Sequence, residues 1–379
     1  MLIHGYLTTA LRGAAVSTLV VTALAACSND SSSDGATPSP SASAAATTSP
    51  ATAGATVPAE ATDAKPEKLF FAADSPWNTP VDTSSTDPRS EALLKRAKES
   101  VGVIEQTDGG RPVTQYQTGE EGLFVNTTRW TTPVVQGGPS TVMRCRQADC
   151  GDQPPGGRLP VPADVDPDPR YDGWYSIIDE DGRYAYDLWR GRRESDGTIS
   201  YQYMRRWSLA GAGFGKPQEV SARGSGLPLI GGLIRPGELQ AGEISHALAI
   251  SVPGAATGVF VRPASSTDGN GRSSSLPEGA RIRLKADVVL RRATDPDTGK
   301  KIKLTAQQRR VGDAIVAALR TYGAIVVDRA AVPTLYAQRD VSSSLLVGNE
   351  LQGLTLDDFE VVKLGSTYEY PATTTKAGQ

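Results

Sequence analysis

The sequence predicts a mainly β fold, a β-sandwich with one or two packed helices. The chain holds 26 Pro and 39 Gly, and such dense punctuation is typical of short strands joined by turns. Only two stretches show the three- and four-residue apolar spacing of a packed helix. A low-complexity N-terminal segment is followed by about 310 residues without a second break, which favours one large domain.

The first 26 residues have the parts of a secretory signal peptide. Arg12 precedes an apolar stretch, residues 14–23, that is too short to span a hydrocarbon core of ~30 Å. The residues Leu24-Ala25-Ala26-Cys27 resemble a bacterial lipobox, in which the chain is cut before the cysteine and the cysteine is acylated. We therefore predict a signal peptide over residues 1–26 and a lipid anchor on Cys27. An ordinary cleaved signal with a coincidental cysteine is the alternative.

Residues 27–66 consist almost entirely of Ser, Ala, Thr, Pro, Gly and Asp. This composition offers too little apolar area to offset the entropy lost on ordering, so we expect a disordered tether. Residues 67–379 then form a single globular β-rich domain. The lipid would hold this domain on the extracellular face of the cell membrane, where its partners are the membrane and a polysaccharide or the cell wall.

Several short segments have the composition of strands. A hairpin is predicted to join residues 174–178 to residues 183–190 through the turn Asp179-Glu180-Asp181-Gly182. Further strands are expected at residues 198–204, 244–252, 258–262, 281–284, 324–327 and 359–364.

Two segments are predicted to be helical. Thr86-Asp87-Pro88 can cap and begin a helix through residues 90–98. The second helix spans about residues 305–322, where apolar side chains recur on one face, and Gly323 ends it.

The charge pattern argues against two classes of partner. A formal charge of −3 over 379 residues gives no basic footprint for nucleic acid. Residues 211–216 superficially resemble a phosphate loop, but Pro217 follows the lysine and the GxxxxGK[ST] pattern is missing. We therefore predict no nucleic-acid partner, no nucleotide partner and no cofactor.

Cys145 and Cys150 are the two cysteines that remain once Cys27 is acylated. An even pair in an oxidising compartment indicates a disulfide that closes a small loop. A zinc site would need further thiolate or imidazole ligands, and His246 is the only histidine after the leader. We therefore assign no metal ligand, and the sequence leaves calcium open.

The densest motif begins at the Gly-Leu-Pro of residues 226–228 and runs to the His-Ala-Leu of residues 246–248. In order along the chain, the accompanying pieces are Asp74-Ser75-Pro76-Trp77-Asn78, Arg262-Pro263-Ala264 with Ser266-Thr267-Asp268, Leu276-Pro277-Glu278-Gly279-Ala280, and Tyr322-Gly323.

This order of pieces resembles a widespread, largely uncharacterised family of secreted bacterial proteins, over most of residues 70–330. The family's usual acidic residue before Gly-Leu-Pro is replaced here, near Arg223-Gly224-Ser225. The resemblance implies an extracellular domain with a jelly-roll or concanavalin-like sandwich that handles carbohydrate.

His246 is the candidate for acid–base chemistry in a lyase. In alginate-lyase-like sandwiches, a strand histidine and a tyrosine manage the proton removed beside a uronic acid carboxylate, which a Gln or Arg neutralises. Imidazole suits this task because it titrates near neutral pH. We assign Tyr186 as the tyrosine and Arg235 as the substrate-binding arginine. The alternative is a core histidine, because His246 shares a predicted strand face with Leu248 and Ile250.

Carboxylates are the candidates for a hydrolase. Glycoside hydrolysis needs two carboxyl groups, ~5–5.5 Å apart for retention or ~6.5–9.5 Å apart for inversion. Asp187 lies within a predicted strand and Glu243 flanks the Gly-Leu-Pro block, so we assign these two as the pair. The alternative for Asp187 is a surface residue paired with Arg183 or Arg190.

Aromatic residues concentrate in residues 174–207, in a chain that is 6% aromatic overall. Flat aromatic faces stack on the C–H faces of sugar rings, so Trp174 and Trp189 are predicted to bind substrate, although such a cluster could equally be core. The predicted function is action on a polysaccharide as a lyase or a glycoside hydrolase. The alternative is a non-catalytic surface lipoprotein that binds glycan or cell wall.

Overall fold

The computed structural model describes residues 68–99, 102–106, 112–116, 122–127, 129–294, 300–339 and 345–371, which belong to one unit, Ala61–Gln379. The predicted signal peptide, the predicted tether and Cys27 lie outside the described residues. Among the described residues, the helices are α1 (Ser90–Ala97), α2 (Pro236–Ala241) and α3 (Ala306–Thr321). Within this part of the chain, no helix has both the length and the apolar character to cross a membrane.

Strands make up most of the regular structure, which confirms the mainly β prediction. In chain order they are β1 (Gly102–Gln106), β2 (Pro112–Tyr116), β3 (Phe124–Asn126), β4 (Val134–Gln136), β5 (Ser140–Cys145), β6 (Arg158–Pro160), β7 (Tyr175–Ile178), β8 (Tyr184–Trp189), β9 (Arg192–Arg193), β10 (Ile199–Tyr201), β11 (Tyr203–Ser208), β12 (Leu248–Val252), β13 (Val259–Val261), β14 (Arg281–Leu284), β15 (Ala324–Arg329), β16 (Thr334–Tyr336), β17 (Phe359–Val361) and β18 (Thr367–Glu369).

Three sheets form the body of the domain. The largest has six strands in the order β17-β14-β15-β12-β16-β3. Two four-stranded sheets have the orders β11-β8-β7-β4 and β6-β5-β10-β9. The pairs β1–β2 and β13–β18 are separate two-stranded sheets.

Successive residues of a strand point to opposite faces of its sheet, and the cores to which they belong show how the sheets stack. In β15, Ala324 and Val326 belong to a core shared with α1 and α3, while Ile325 and Val327 belong to a second core shared with β7 and β8. The other face of β8 contributes Tyr186 to a third core, shared with β5 and β10. The order is therefore helices, six-stranded sheet, β4–β7–β8–β11 sheet and outer sheet, which is consistent with a sandwich flanked by helices.

The finer jelly-roll topology is not confirmed. Jelly rolls are built from antiparallel strands. Among the described residues, four pairs are parallel: β3 with β16, β4 with β7, β5 with β10, and β12 with β15.

The two predicted helices are α1 and α3. α3 begins at the cap Thr305, whose side chain accepts from the amide of Gln308 at 3.1 Å, and it is followed by Gly323 in the left-handed region. α2 was not predicted, because its six residues are too few to show a helical period. Its ends nonetheless carry the expected signals, Pro236 in the first turn and Gly242 as a left-handed cap.

The hairpin of β7 and β8 is confirmed, with the expected antiparallel pairing. The strand expected at residues 198–204 is wrong in one respect, because it divides after Tyr201 into β10 and β11, which lie in different sheets.

The strand expected at residues 244–252 begins later than predicted, at Leu248. Residues 244–247 run outside the sheet because they follow the α2 cap at Gly242, and the amide of Ala247 donates to the carbonyl of Trp77 at 2.7 Å. His246 therefore lies before the strand, and the predicted strand face does not describe its surroundings.

The predicted disulfide is confirmed. Cys145, at the end of β5, is bonded to Cys150 with a Cα–Cα distance of 5.8 Å. The carbonyl of Cys150 accepts from the amide of Met204 at 2.7 Å, so the closed loop is tied to β11.

Candidate functional site

A change of register in the six-stranded sheet brings a carboxylate to the space between the sheets. β12 and β15 pair in register up to Ile250 and Val326, after which Ser251 pairs with Asp328. Simple alternation would place Asp328 on the face of Val326, in the helix-side core. The bulge at Val327 turns Asp328 to the opposite face instead, as bulges beside functional sites commonly do.

Two further carboxylates come from the loops between β13 and β14. One oxygen from each of Asp268, Glu278 and Asp328 lies within 4.8 Å of the others. We call these three residues the acidic cluster. Asp268 is exposed and Asp328 is half-buried, while Glu278 is 0% exposed at the bottom. Carboxylate oxygens are good ligands for hard cations, so among the described residues these three are the candidate ligands of a metal ion.

The carboxylate oxygens of the acidic cluster do not all have hydrogen-bond partners. Oε2 of Glu278 accepts from the amide of Asp268 at 3.3 Å, whereas its buried Oε1 has no hydrogen-bond partner among the described residues. Oδ2 of Asp268 lies 3.4 Å from the guanidinium of Arg329. Asp268 also approaches Gly224, where an added Cβ would lie 2.1 Å from its Oδ1, so the close contact requires glycine there.

Burial and mutual repulsion hold protons in this cluster. Burial raises the pKa of Glu278 well above its usual range, and the charges of Asp268 and Asp328 and a side-chain hydrogen bond with Asp268 add to the effect, whereas a hydrogen bond with Thr267 opposes it. Burial likewise raises the pKa of Asp328 to about 8, with a further contribution from Asp268, while Arg223 opposes the shift. Perturbed carboxylates of this kind concentrate at functional sites.

Arg223 is the nearest buried cation. It is 3% exposed, and only Nη1 reaches an acceptor, the carbonyl of Pro228 at 3.4 Å. Nε and Nη2 have no partner among the described residues. The guanidinium instead lies over two aromatic rings, 5.4 Å from the centre of Trp174 and 4.9 Å from that of Tyr336.

These rings continue towards the surface as an aromatic row. Tyr336 and Trp174 have ring centres 5.8 Å apart, Trp174 and Trp130 6.3 Å, and Trp130 and Tyr171 5.7 Å. We call these four residues the aromatic row. Tyr336 and Trp174 are buried, whereas Trp130 and Tyr171 are half-buried and reach solvent.

Asp172, which follows Tyr171 in the chain, interacts with Trp189 and feels the charge of Asp268. Burial raises the pKa of Asp172, the charge of Arg190 and a hydrogen bond from Trp189 lower it, and the charge of Asp268 raises it. Arg190 donates its amide to the carbonyl of Asp172 at 2.7 Å, and its guanidinium lies 4.7 Å from the Trp189 ring centre.

Backbone strain also concentrates here. Trp130, Asp172 and Arg190 adopt positive φ values of 54°, 61° and 52°. Such values are uncommon for residues with a side chain and are costly for bulky ones. Among the described non-glycine residues only Phe71 and Gln218 share this conformation, so three of the five strained positions meet at one place, a pattern associated with functional sites.

The predicted residues around His246 form a different, closed arrangement. Nε2 of His246 lies 2.8 Å from Oε1 of Glu238, and Nδ1 lies 2.9 Å from the carbonyl oxygen of Ala247. Arg235 binds the same carboxylate through its guanidinium and through its amide, which donates to Oε2 at 3.0 Å. Burial raises the pKa of Glu238, but the hydrogen bond and charge of His246 and the charge of Arg235 outweigh it, and the net shift is downward.

The surroundings of His246 leave no space for a substrate next to its imidazole ring. Both ring nitrogens lie within hydrogen-bond distance of an oxygen atom of the protein, so neither faces open space in which a substrate could lie. His246 is 7% exposed, and the adjoining cavity, lined by Trp77 and Asn78 among others, measures about 10 Å³. A space of that size holds at most one water molecule.

The other predicted catalytic residues lie apart from His246. Tyr186 is buried in the core between β8 and the outer sheet, and no described contact joins it to His246. Asp187 is 0% exposed and accepts from Ser176 Oγ and from the amide of Leu229, each at 2.6 Å. Glu243 is exposed and accepts from Ser245 Oγ at 2.7 Å, and no described contact joins it to Asp187.

The predicted substrate-binding residues divide between the two arrangements. Trp174 belongs to the aromatic row and Trp189 lies beside it, whereas Arg235 belongs to the closed arrangement with Glu238. A larger cavity of about 240 Å³, lined by Arg262, Arg281 and Lys363 among others, contains none of the predicted residues.

The acidic cluster itself was missed in the sequence analysis. Asp268 and Glu278 occur in two of the motif pieces, so the signal was a carboxylate carried by each piece. Asp328 follows the buried strand residues Ile325 to Val327, and a charge directly after such a run is a usable signal.

Comparison with known proteins adds no relative. No protein-family model matches the chain, no curated protein matches it, and no solved structure matches it.

Proposed function

We propose that the protein is a membrane-anchored extracellular lipoprotein that binds a polysaccharide along the aromatic row, with the acidic cluster at the inner end of the binding site. The observation that carries this proposal is the continuous path of rings from solvent-facing Tyr171 and Trp130 to buried Trp174 and Tyr336, beside carboxylates with unpartnered oxygen. The extracellular location rests on the leader and the Cys27 lipobox of the sequence.

Aromatic rings beside fixed polar groups are suited to sugars. A sugar ring presents apolar C–H faces to an aromatic side chain and hydroxyl groups to carboxylates and arginines. At the solvent end, the guanidinium groups of Arg129 and Arg170 lie 5.9 and 5.3 Å from the Tyr171 ring centre, and Arg190 flanks Trp189. Asp168 pairs with Arg170 at 2.8 Å, so Arg129 and Arg190 carry the positive charge that favours a polysaccharide with acidic groups.

Binding without chemistry has better support than the predicted lyase. A lyase needs a base with a free nitrogen or oxygen facing the substrate. His246 has both nitrogens engaged, and Tyr186 is buried in another core. The geometry thus favours the non-catalytic alternative of the sequence analysis.

The test is retention of the purified full-length chain on alginate and on insoluble cell-wall material. We expect Trp130→Ala and Trp189→Ala each to weaken retention about tenfold, which corresponds to roughly 1.4 kcal/mol for the loss of one stacked ring. Tyr184→Ala is the matched control, because Tyr184 is a half-buried aromatic residue of β8 that lies outside the aromatic row. Equal retention of all four proteins, or no retention of the unsubstituted chain on either material, would refute the proposal.

One observation favours glycoside hydrolysis as a second candidate. Asp268 and Asp328 each have a carboxylate oxygen within 4.8 Å of the other, and a close pair of carboxyl groups is what retaining enzymes use. Incubation with the retained polysaccharide would then release reducing ends, and Asp328→Asn would abolish the release while Asp313→Asn, on the exposed face of α3, would not. Retention without released ends decides for binding.

A further inference from the structure

One buried oxygen of the acidic cluster has no hydrogen-bond partner among the described residues. Buried polar atoms nearly always have a hydrogen-bond partner, and an exception calls for an explanation such as an ion. Oε1 of Glu278 is such an exception, on a side chain that is fully buried.

The spacing of the carboxylates suits one divalent cation. Calcium binds oxygen ligands at about 2.3–2.6 Å, so two oxygens on opposite sides of it lie about 4.6–5.2 Å apart. Magnesium binds at about 2.0–2.1 Å, so the same pair lies about 4.0–4.2 Å apart. The oxygens of Asp268, Glu278 and Asp328 lie within 4.8 Å of one another, so one divalent cation can contact all three. Calcium is the ion that tolerates an irregular set of oxygen ligands, whereas magnesium demands a near-ideal octahedron.

The two arginines near the acidic cluster, Arg223 and Arg329, do not neutralise Glu278. Arg329 contacts Asp268, at the exposed side of the cluster, and the charge of Arg223 acts on Asp328. Neither guanidinium makes a described contact with Glu278, whose Oε1 stays unpartnered. The two arginines therefore leave Glu278, the buried member of the cluster, without a neighbour of opposite charge.

We propose that Asp268, Glu278 and Asp328 bind one Ca²⁺ ion. Glu278 supplies the buried ligand, and half-buried Asp328 and exposed Asp268 leave the outer side of the ion open. That open side would take hydroxyl or carboxylate oxygens of the sugar beside the aromatic row. This last role rests on the proposed function, whereas the ion site does not.

Isothermal titration of the chelator-treated full-length chain with CaCl₂, in the absence of sugar, tests the ion site. We expect one equivalent of Ca²⁺ to bind, and Glu278→Gln and Asp328→Asn each to abolish the binding heat. Glu91→Gln and Asp313→Asn are matched controls on α1 and α3, and they should bind as the unsubstituted chain does. Absence of binding to the unsubstituted chain, or binding that survives both cluster variants, would overturn the site.

A second measurement covers the case in which a cluster variant does not fold. Tb³⁺ replaces Ca²⁺ and emits when a nearby indole is excited, and Trp174 lies within the site. We expect sensitised Tb³⁺ emission from the unsubstituted chain that excess CaCl₂ displaces. Emission that CaCl₂ does not displace, or no emission, contradicts the site.

The two proposals fail separately. Ca²⁺ binding together with retention that is equal in CaCl₂ and in EGTA would keep the ion and remove its role in sugar binding. Retention that Trp130→Ala weakens, in a chain that binds no Ca²⁺, would keep the polysaccharide and remove the ion. A bound ion would also occupy the oxygens needed for hydrolysis, so the titration bears on the second candidate function as well.

Discussion

Glu238 and Glu278 are both buried carboxylates, and their surroundings differ in one respect. Both oxygens of Glu238 are bound by Arg235 and His246, and those two residues have their own remaining groups bound to carbonyl oxygens. Glu278 has one oxygen with a long contact and one with none, beside two more carboxylates and an arginine with unpartnered nitrogens. A complete network has nothing left with which to bind a ligand, and an incomplete one does.

The difference also appears in the direction of the pKa shifts. The cations around Glu238 lower its pKa in spite of burial, whereas burial among like charges raises the pKa of Glu278. We infer that the Glu238 arrangement holds α2 and the following segment together. The acidic cluster, by contrast, is stabilised when it binds a ligand such as a cation.

The largest effect is expected from breaking the closed arrangement. Glu238→Ala leaves Arg235 and His246 buried without their counter-charge, and the loss of one partner in a buried pair costs about 3–5 kcal/mol of unfolding free energy. Urea unfolding of the variant and the unsubstituted chain measures the difference. A loss below about 1 kcal/mol would mean that this network is not the structural element described here.

An intermediate effect is expected in the pH dependence, through Asp187. Burial raises the pKa of this carboxyl to about 6, against hydrogen bonds from Ser176 and Leu229 that lower it. A raised folded-state pKa gives stability that is complete below 3.8 and is lost as the pH rises through about 6. Asp187→Asn should therefore remove a fall in unfolding free energy between about pH 4 and pH 6, of at most about 1.4 kcal/mol per pH unit.

Glu238 contributes to the pH dependence with the opposite sign. Its pKa is lowered, so its contribution has the opposite sign and is lost as the pH falls below 4.5. Asp313→Asn is the control variant. Its unfolding free energy should fall between about pH 4 and pH 6 as steeply as that of the unsubstituted chain. An Asp187→Asn variant with the same slope as the unsubstituted chain would contradict the assignment.

The smallest effect is expected at Glu278. With no cation bound, Glu278→Gln replaces a buried acid by a neutral group of the same shape, so the unfolding free energy in EGTA should change by no more than about 1 kcal/mol. The same variant should lose any stabilisation that CaCl₂ confers on the unsubstituted chain. A loss in EGTA as large as that of Glu238→Ala would remove the contrast between the two regions.

Much of the fold followed from local patterns. Both long helices, the β7–β8 hairpin and the Cys145–Cys150 disulfide depend on residues close together in the chain, so turns and spacing were sufficient. The cap predicted for α1 at Thr86-Asp87-Pro88 is wrong, because the N-cap is Arg89, whose side chain makes no capping hydrogen bond. The parallel pairs and the stacking of sheets depend on strands far apart in the sequence, and periodicity carries no information about which strands meet.

The site was harder for a related reason. His246 attracted attention as a lone histidine, yet its role is decided by Glu238 and Ala247, whose contacts the spacing did not reveal. Asp328 faces the site because one residue bulges opposite Ile250 and Ser251, and no local sequence pattern marks that shift. Asp268 and Glu278 lie in loops whose approach to Asp328 depends on the whole sheet.

The central claim is that the carboxylate oxygens of the acidic cluster are ligand atoms, and a crystal structure grown in CaCl₂ tests it most directly. We expect density for one ion between Asp268, Glu278 and Asp328, at about 2.3–2.6 Å from an oxygen of each. Three carboxyl groups hydrogen-bonded to one another with no ion between them, in crystals that contain millimolar calcium, would contradict the account.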